Sequence, residues 1–371
     1  MNRVSKKTTA PAKAEGIATI AAVPRGERGL GQVPIIHPDL RKRRGYQPDF
    51  LDLPSGQPVP LPALTKKGAA AVVTLDDGSP EIKYHRFSVV LHKKRRLALF
   101  TASNVDWRPS MRAPGGKRPT RNQLTGILDD TPEQWVTDPR IPDDFQLPDL
   151  FYTADGGAFD KGHIVRRDDV CWGKTFDDIQ KGNGDTFHTT NCSPQASAFN
   201  RSNKGEDNWG DLENLVQSET SAEKVVVFAG PVLASTDPLF QGRDHRGKVS
   251  IQIPLGFWKI IVATANGEPR AYGFVLQQST PRGVSVRDIH VPKRWIRFMQ
   301  PIAAIERLLD GHAKLDWLKS HDAFETATGK RIERGLSQKA SPKKEKAAPQ
   351  MEKASPKKAS PARKGRAPKS D

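Results

Sequence analysis

Apolar residues in this chain gather in short runs separated by polar stretches, and few of them recur at helical spacing. His85 to His92 (HRFSVVLH) and Leu97 to Val105 (LALFTASNV) have the length and the β-branched and aromatic content of strands. Lys93, Lys94, Arg95 and Arg96 lie between them and predict a hairpin tip. A second block is β-like in the same way: Thr186 to Cys192, Lys224 to Ala229, Val249 to Ile253, Phe257 to Thr264 and Ala271 to Leu276. Helical periodicity is confined to Asp207 to Ser218 and Trp295 to Leu309. Strands outnumber helices and do not alternate with them, which predicts an α+β protein on an antiparallel sheet, not a doubly wound parallel one.

Polar and low-complexity stretches set the expected boundaries. Residues 1 to 45 are basic and lack periodicity, and Pro54 to Leu64 (PSGQPVPLPAL) reads as an extended lead-in, so 1–60 is expected to be disordered or extended. Order is expected to begin near Tyr84, within a folded domain assigned to 61–310. Asp106 to Pro148 reads as a long irregular connection. A helical extension is expected over 311–336. Ser337 to Asp371 is rich in Lys, Pro, Ala and Ser, repeats ASPKK at Ala340 and Ala354, and is expected to be a disordered tail. Its Ser-Pro-Lys-Lys blocks resemble those of linker-histone tails.

Charge narrows the class of partner. The chain has 371 residues, only 36% of them hydrophobic, and a formal net charge of +17. Such a field attracts polyanions, either nucleic acid or an anionic membrane. No run of about 18 apolar residues exists, so no membrane span is expected. The weak apolar patch from Gly16 to Val23 follows Lys13 and Glu15 and makes a poor signal peptide; secretion by the usual signal-peptide route is not expected, and a cytoplasmic or nucleoid location or non-classical export stays open. Two cysteines, Cys171 and Cys192, exclude a disulfide framework and a four-cysteine zinc site but leave one bridge open.

Two stretches carry candidate chemistry. In Phe159 to Gly173 (FDKGHIVRRDDVCWG), His163 follows a glycine among basic residues and acids. Gly162 could let the backbone bring His163 near a substrate, and Arg166 and Arg167 could meet phosphates with fork geometry. In Asn191 to Leu215 (NCSPQASAFNRSNKGEDNWGDLENL), Asn200 and Glu213 are candidate oxygen ligands for a hard cation. On a helical wheel Trp209, Leu212, Leu215 and Val216 form one apolar stripe, with Glu213 at its margin. A carboxylate there is costly without a partner, which could be a metal ion, a water bound to one, or a nearby Lys or Arg.

Together these motifs resemble the DNA/RNA non-specific endonuclease family. Its Asp-Arg-Gly-His hallmark stands here as Asp160-Lys161-Gly162-His163. Its Asn-x-x-Pro-Gln, Asn and Trp-x-x-Leu-Glu signatures stand as Asn191 to Gln195, Asn200, and Trp209 to Glu213. Gly230-Pro231-Val232 and the Ile253-Pro254 to Phe257-Trp258-Lys259 block are also similar. The resemblance implies a ββα-metal nuclease fold on a central antiparallel sheet. It implies endonucleolytic cleavage of DNA and RNA that leaves 5′-phosphate ends, with one Mg²⁺ ion, or Mn²⁺ in its place. His163 would be the general base, and Lys161 and Glu213 would join it in catalysis. Asn200 and Glu213 would hold the metal. Arg166, Arg167 and Asn191 would meet substrate, and Asp160 and Gly162 would give support. Two departures stand out: Lys161 lacks the arginine fork, and the longer gap after Asn200 makes Asn203 or Asn208 rival ligands. Relatives of this kind include dimers, so a homodimer is a further expectation. Two rival readings remain, a nucleic-acid binder that uses its basic tail without cutting, and a metal hydrolase of small phosphoesters.

Overall fold

The structure is a computed structural model that describes residues 31–128, 131–154, 158–202, 208–220, 223–278 and 297–329. The expected tail, the first half of the expected N-terminal segment, Asn203 and the start of the Trp295 helix lie outside these residues.

Twelve strands are described: β1 (Ala63–Leu64), β2 (Ile82–Lys83), β3 (Phe87–His92), β4 (Leu97–Asp106), β5 (Asp160–His163), β6 (Cys192–Gln195), β7 (Lys224–Val232), β8 (Leu239–Asp244), β9 (Gly247–Gln252), β10 (Gly256–Ala265), β11 (Glu268–Gln277) and β12 (Ala313–Lys314). The helices up to residue 220 are α1 (Lys66–Ala71), α2 (Pro109–Arg112), α3 (Arg121–Thr125), α4 (Asp149–Thr153), α5 (Arg167–Val170), α6 (Phe176–Asp185), α7 (Ser197–Asn200) and α8 (Trp209–Glu219). Three short helices follow, Ile302–Leu308, Asp316–Ser320 and Phe324–Thr328.

The central sheet has six strands in the order β11-β10-β7-β4-β3-β2, with every neighbouring pair antiparallel. This is the α+β class expected from the pattern. Alternation along β7 and β10 explains why both faces are covered. Val226, Phe228, Trp258, Ile260 and Val262 bury into one core with Tyr46, Ile302, Ile305 and Leu318. Val225, Val227, Phe257 and Ile261 bury into the opposite core with Trp209, Leu212 and Val216 of α8. The apolar stripe read for α8 is therefore its packing face.

Three expectations change. Residues 31–60 are not disordered: Leu40, Arg43, Tyr46, Leu51, Leu53 and Val59 are buried. Arg43 donates to both carboxylate oxygens of Asp185 at 2.6 and 3.0 Å, and the Tyr46 hydroxyl donates to the Val59 carbonyl. The segment lacks regular structure and holds by side-chain anchors, which periodicity cannot reveal. Thr186 to Cys192 is not a strand but a turn and the 3-10 segment Thr189–Asn191. Thr186 Oγ1 donates to the Asn183 carbonyl and Asn191 Nδ2 to the Thr186 carbonyl, so these side chains bond local backbone in place of a ladder. Residues after 310 join the main core, since β12 pairs with β1 and Leu315 and Leu318 are buried there.

Candidate active site

β5 and β6 form a two-stranded antiparallel ribbon, with Asp160 opposite Gln195, Gly162 opposite Ser193 and His163 opposite Cys192. α7 and α8 follow in the chain, so two strands and a helix build one ββα unit against the central sheet. Side chains alternate across the ribbon. Asp160 and Gly162 share one face, and Lys161 and His163 the other. Gly162 is required by its own neighbour, because a Cβ there would fall 2.2 Å from Gln195 Oε1. Ribbon closure, not an approach to substrate, explains this glycine.

His163 is half-buried between aromatic walls. Its ring centroid lies 4.4 Å from that of Trp135 and 5.5 Å from that of Phe187. Its Nε2 is buried and has no hydrogen-bond partner among the described residues. Burial holds its pKa well below the usual 6.5, and the positive charges of Arg121, Arg167 and Lys161 push the same way. A neutral imidazole with an unengaged ring nitrogen can accept a proton.

Lys161 does not project toward open space. Its Nζ donates to the Glu133 carbonyl and to Asp149 Oδ1 at 2.7 Å. The Trp135 backbone N–H donates to the same carboxylate oxygen at 2.8 Å. The lysine thus ties the Trp135 wall to β5. Asp160 holds the chain after α7. It accepts from Arg201 at 2.8 and 2.9 Å and from Asn200 Nδ2 at 3.3 Å. With the Asn200 nitrogen turned to Asp160, the amide oxygen is its remaining ligand atom. Asn208 is the N-cap of α8: its Oδ1 accepts from the Asp211 N–H at 2.9 Å, and its Nδ2 donates to the carbonyls of Ala198 and Arg201. Its amide is fully engaged in holding the helix start.

Glu213 stands on α8 with Lys259 Nζ 3.2 Å from Oε1 and Arg166 Nε 3.7 Å from Oε2. Lys259 is 2% exposed and sits over the Trp209 ring at 4.3 Å, so the carboxylate at the stripe's margin has a buried cation behind it. Nearby Asp169 is buried, and that burial pushes its pKa up to about 6 against the pull of Lys259 and Arg166.

The expected substrate contacts divide. Arg166 is fastened to α8, donating to the Glu213 carbonyl, Gln217 and Asn214 at 3.1, 3.0 and 2.9 Å. Asn191 is fully buried: its Oδ1 accepts from the Val165 N–H, and its Nδ2 donates to the carbonyls of Val165 and Thr186. Neither projects into open space, and both shape the loop behind His163. Arg167 does face a cavity, of about 170 Å³, lined also by Arg112, Arg118, Arg121 and Asp168. Arg118, Arg121, Trp135 and Asp149 are the site residues that sequence reading missed. They lie in or just beyond the proline- and charge-rich connection after β4, where no periodicity marks them. A tryptophan and paired arginines in so polar a stretch were the available signal.

The donor set fits a hydrated hard cation. Among the described residues no group of three or more His, Cys, Asp or Glu is placed to hold a metal ion. One amide oxygen and one carboxylate suit an ion that keeps most of its water shell. Cys171 and Cys192 are both buried and unbridged.

Comparison with known proteins bears on the whole unit. An uncharacterized protein, y4fB, of Sinorhizobium fredii is 37% identical over 252 residues, which is 64% of this chain and 33% of that protein. The mitochondrial Nuclease 1 of Schizosaccharomyces pombe is 25% identical over 198 residues, 50% of this chain and 52% of that one. The chain thus spans about a third and about half of these curated relatives. A crystal structure of the EndoG/EndoGI complex, concerned with EndoG inhibition, aligns at a TM-score of 0.43 and 18% identity over 64% of this chain and 87% of that one. The family model for DNA/RNA non-specific endonuclease matches residues 66–320, well over half of the sequence. The chain belongs to the DNA/RNA non-specific endonuclease family.

Proposed function

We propose that the protein is a metal-dependent endonuclease that hydrolyses phosphodiester bonds of DNA and RNA without sequence selection. The observation that carries this is His163: a neutral imidazole with an unpartnered buried nitrogen, under the charges of Arg121 and Arg167, two of the four arginines that line a cavity. His163 removes a proton from a water, whose oxygen attacks the phosphorus. The 3′ oxygen departs, leaving a 5′-phosphate end. Arg118, Arg121 and Arg167 face the added negative charge at phosphorus. Asn200 Oδ1 and the Glu213 carboxylate would hold the divalent cation, Mg²⁺ or Mn²⁺. When bound, the cation supplies Lewis-acid charge relief at the scissile phosphate. Contacts of this kind go to the backbone, which accounts for sequence tolerance and predicts strong salt dependence.

Plasmid nicking with and without EDTA, on wild type and His163→Ala, tests the reading. Chelation should abolish nicking. The variant should lose roughly 10²- to 10⁴-fold in rate while DNA binding persists. A variant that cuts within about threefold of wild type removes His163 from the role of base. A wild type that binds DNA and never nicks it would favour the non-cutting binder.

A further inference from the structure

The two walls around His163 are joined behind the ring. Val136 and His188 form a parallel bridge, with Val136 N–H donating to Phe187 O at 3.1 Å and Thr189 N–H to Val136 O at 2.8 Å. A third segment grips both walls from outside, and it precedes the family-matched residues. Gln32 bridges Glu133 in parallel, donating to Pro132 O at 2.9 Å and accepting from the Gln134 N–H at 2.8 Å. Ile35 N–H donates to Thr125 O at 2.8 Å, at the end of α3, the helix that begins with Arg121. On the Phe187 side, a Cβ on Gly184 would fall 2.4 Å from Ile35 O, so the last turn of α6 carries a glycine where the segment crosses it. Glu133, at the centre of these contacts, pairs with Arg121 at 2.9 Å and takes the Lys161 ammonium on its carbonyl.

We propose that Gly31–Ile36 is a strap that fixes both aromatic walls and Arg121 around His163, and that Gln32 and Ile35 are positioning residues for the reaction. The physical case is one of rigidity. The Trp135 wall lies in a stretch with little regular structure, and such segments open locally at low cost. Three backbone hydrogen bonds and a close crossing at Gly184 tie that stretch to a helix end and to the opposite wall. Small displacements of positioned groups are expensive in rate. Water entering a loosened niche would also restore the imidazole toward its ordinary basicity, because burial is the main cause of its depressed pKa; its surroundings also include the cations of Arg121, Arg167 and Lys161 and the carboxylates of Glu133 and Asp149 that pair with two of them.

The proposal rests on His163 being the base, so its test has a readout that does not depend on cleavage. In the full-length chain, Gln32→Pro with Ile35→Pro removes two of the three strap hydrogen bonds, the two that the strap donates. Val33→Ala, at a half-exposed position between them, is the control. Amide hydrogen exchange at Gln134 and Val136 is followed beside kcat, KM and the pH profile. In the double variant exchange at both amides should speed up, kcat should fall about tenfold with KM little changed, and the acid limb should move up toward pH 6.5. The control should match wild type. Should the double variant fail to fold, Ile35→Pro alone carries the same test. Unchanged exchange overturns the strap, and faster exchange with unchanged kcat overturns its role in the reaction. Loss of the base assignment by an active His163→Ala would leave the exchange result standing, so the two failures are distinguishable.

Discussion

At the scale of single residues, the two candidate asparagines are separated by what their amides already do. Asn208 engages both ends of its amide in capping α8. Asn200 uses its nitrogen on Asp160. Asn200→Ala should therefore weaken Mg²⁺ binding, measured by calorimetry, with little change in melting temperature. Asn208→Ala should cost roughly 1 kcal/mol of stability as a lost cap and leave Mg²⁺ affinity near wild type. The reverse pattern would put the ligand on Asn208. The imidazole gives a second prediction. Its pKa is depressed, so the neutral base survives as pH falls below 6.5, and the acid limb of kcat/KM should lie below that value. Arg121→Gln removes one depressing charge and should move the limb upward. The sign for stability is the same. Below pH 6.5 the unfolded chain takes a proton at His163 before the native one does, so its contribution is present above 6.5 and fades as pH falls. His163, Asn200 and Glu213 were legible because a motif fixes their order. Their partners Trp135, Arg121 and Lys259 were not, because burial against His163 or Glu213 depends on long-range packing that no local pattern encodes.

At the scale of elements, the ribbon β5–β6 owes its register to a single close crossing. Gly162→Ala puts a methyl into the Gln195 side chain, whose relative exposure is 0% and which therefore has little room to yield. Overpacking of this kind costs about 1–3 kcal/mol, and here it would also shift the adjacent residue, His163. The expected result is a lower melting temperature together with a loss of kcat at temperatures where the variant is still folded. A variant with reduced stability but wild-type kcat would show that the ribbon absorbs the methyl without moving the base. Five of the six central strands were readable to within a few residues, since β4, β7 and β10 are nearly continuous apolar runs buried on both faces, while the two-residue β2 gave no pattern. β5 and β6 were not readable as strands. They are four residues each and contain Gly and Pro, so neither shows a strand-like apolar run. The same reason hid the packed segment before β1.

At the scale of the whole molecule, charge is unevenly distributed along the sequence. Ser337 to Asp371 holds nine Lys and two Arg against three acids, a net +8 out of the total +17. The candidate catalytic groups all lie before residue 260, so under the proposed function this surplus would serve capture of nucleic acid rather than chemistry. Tethered cations raise the local concentration of nucleic acid at the site, an effect on binding alone. Each duplex phosphate contact releases condensed counterions and contributes about 0.9 to the slope of log K against log salt. Deleting Ser337 to Asp371 should therefore weaken DNA binding at low salt and flatten the salt dependence, by up to eight contacts' worth if every net charge meets a phosphate. Turnover at saturating substrate should stay within about twofold, because neither His163 nor the arginine-lined cavity is altered. A salt titration of binding for full-length and shortened protein, run beside cleavage at saturating DNA, measures both quantities. An unchanged slope would mean that these residues meet no phosphate. A collapse of the saturated rate would mean that the tail acts on the catalytic unit itself, and the division of labour between chemistry and capture would have to be abandoned.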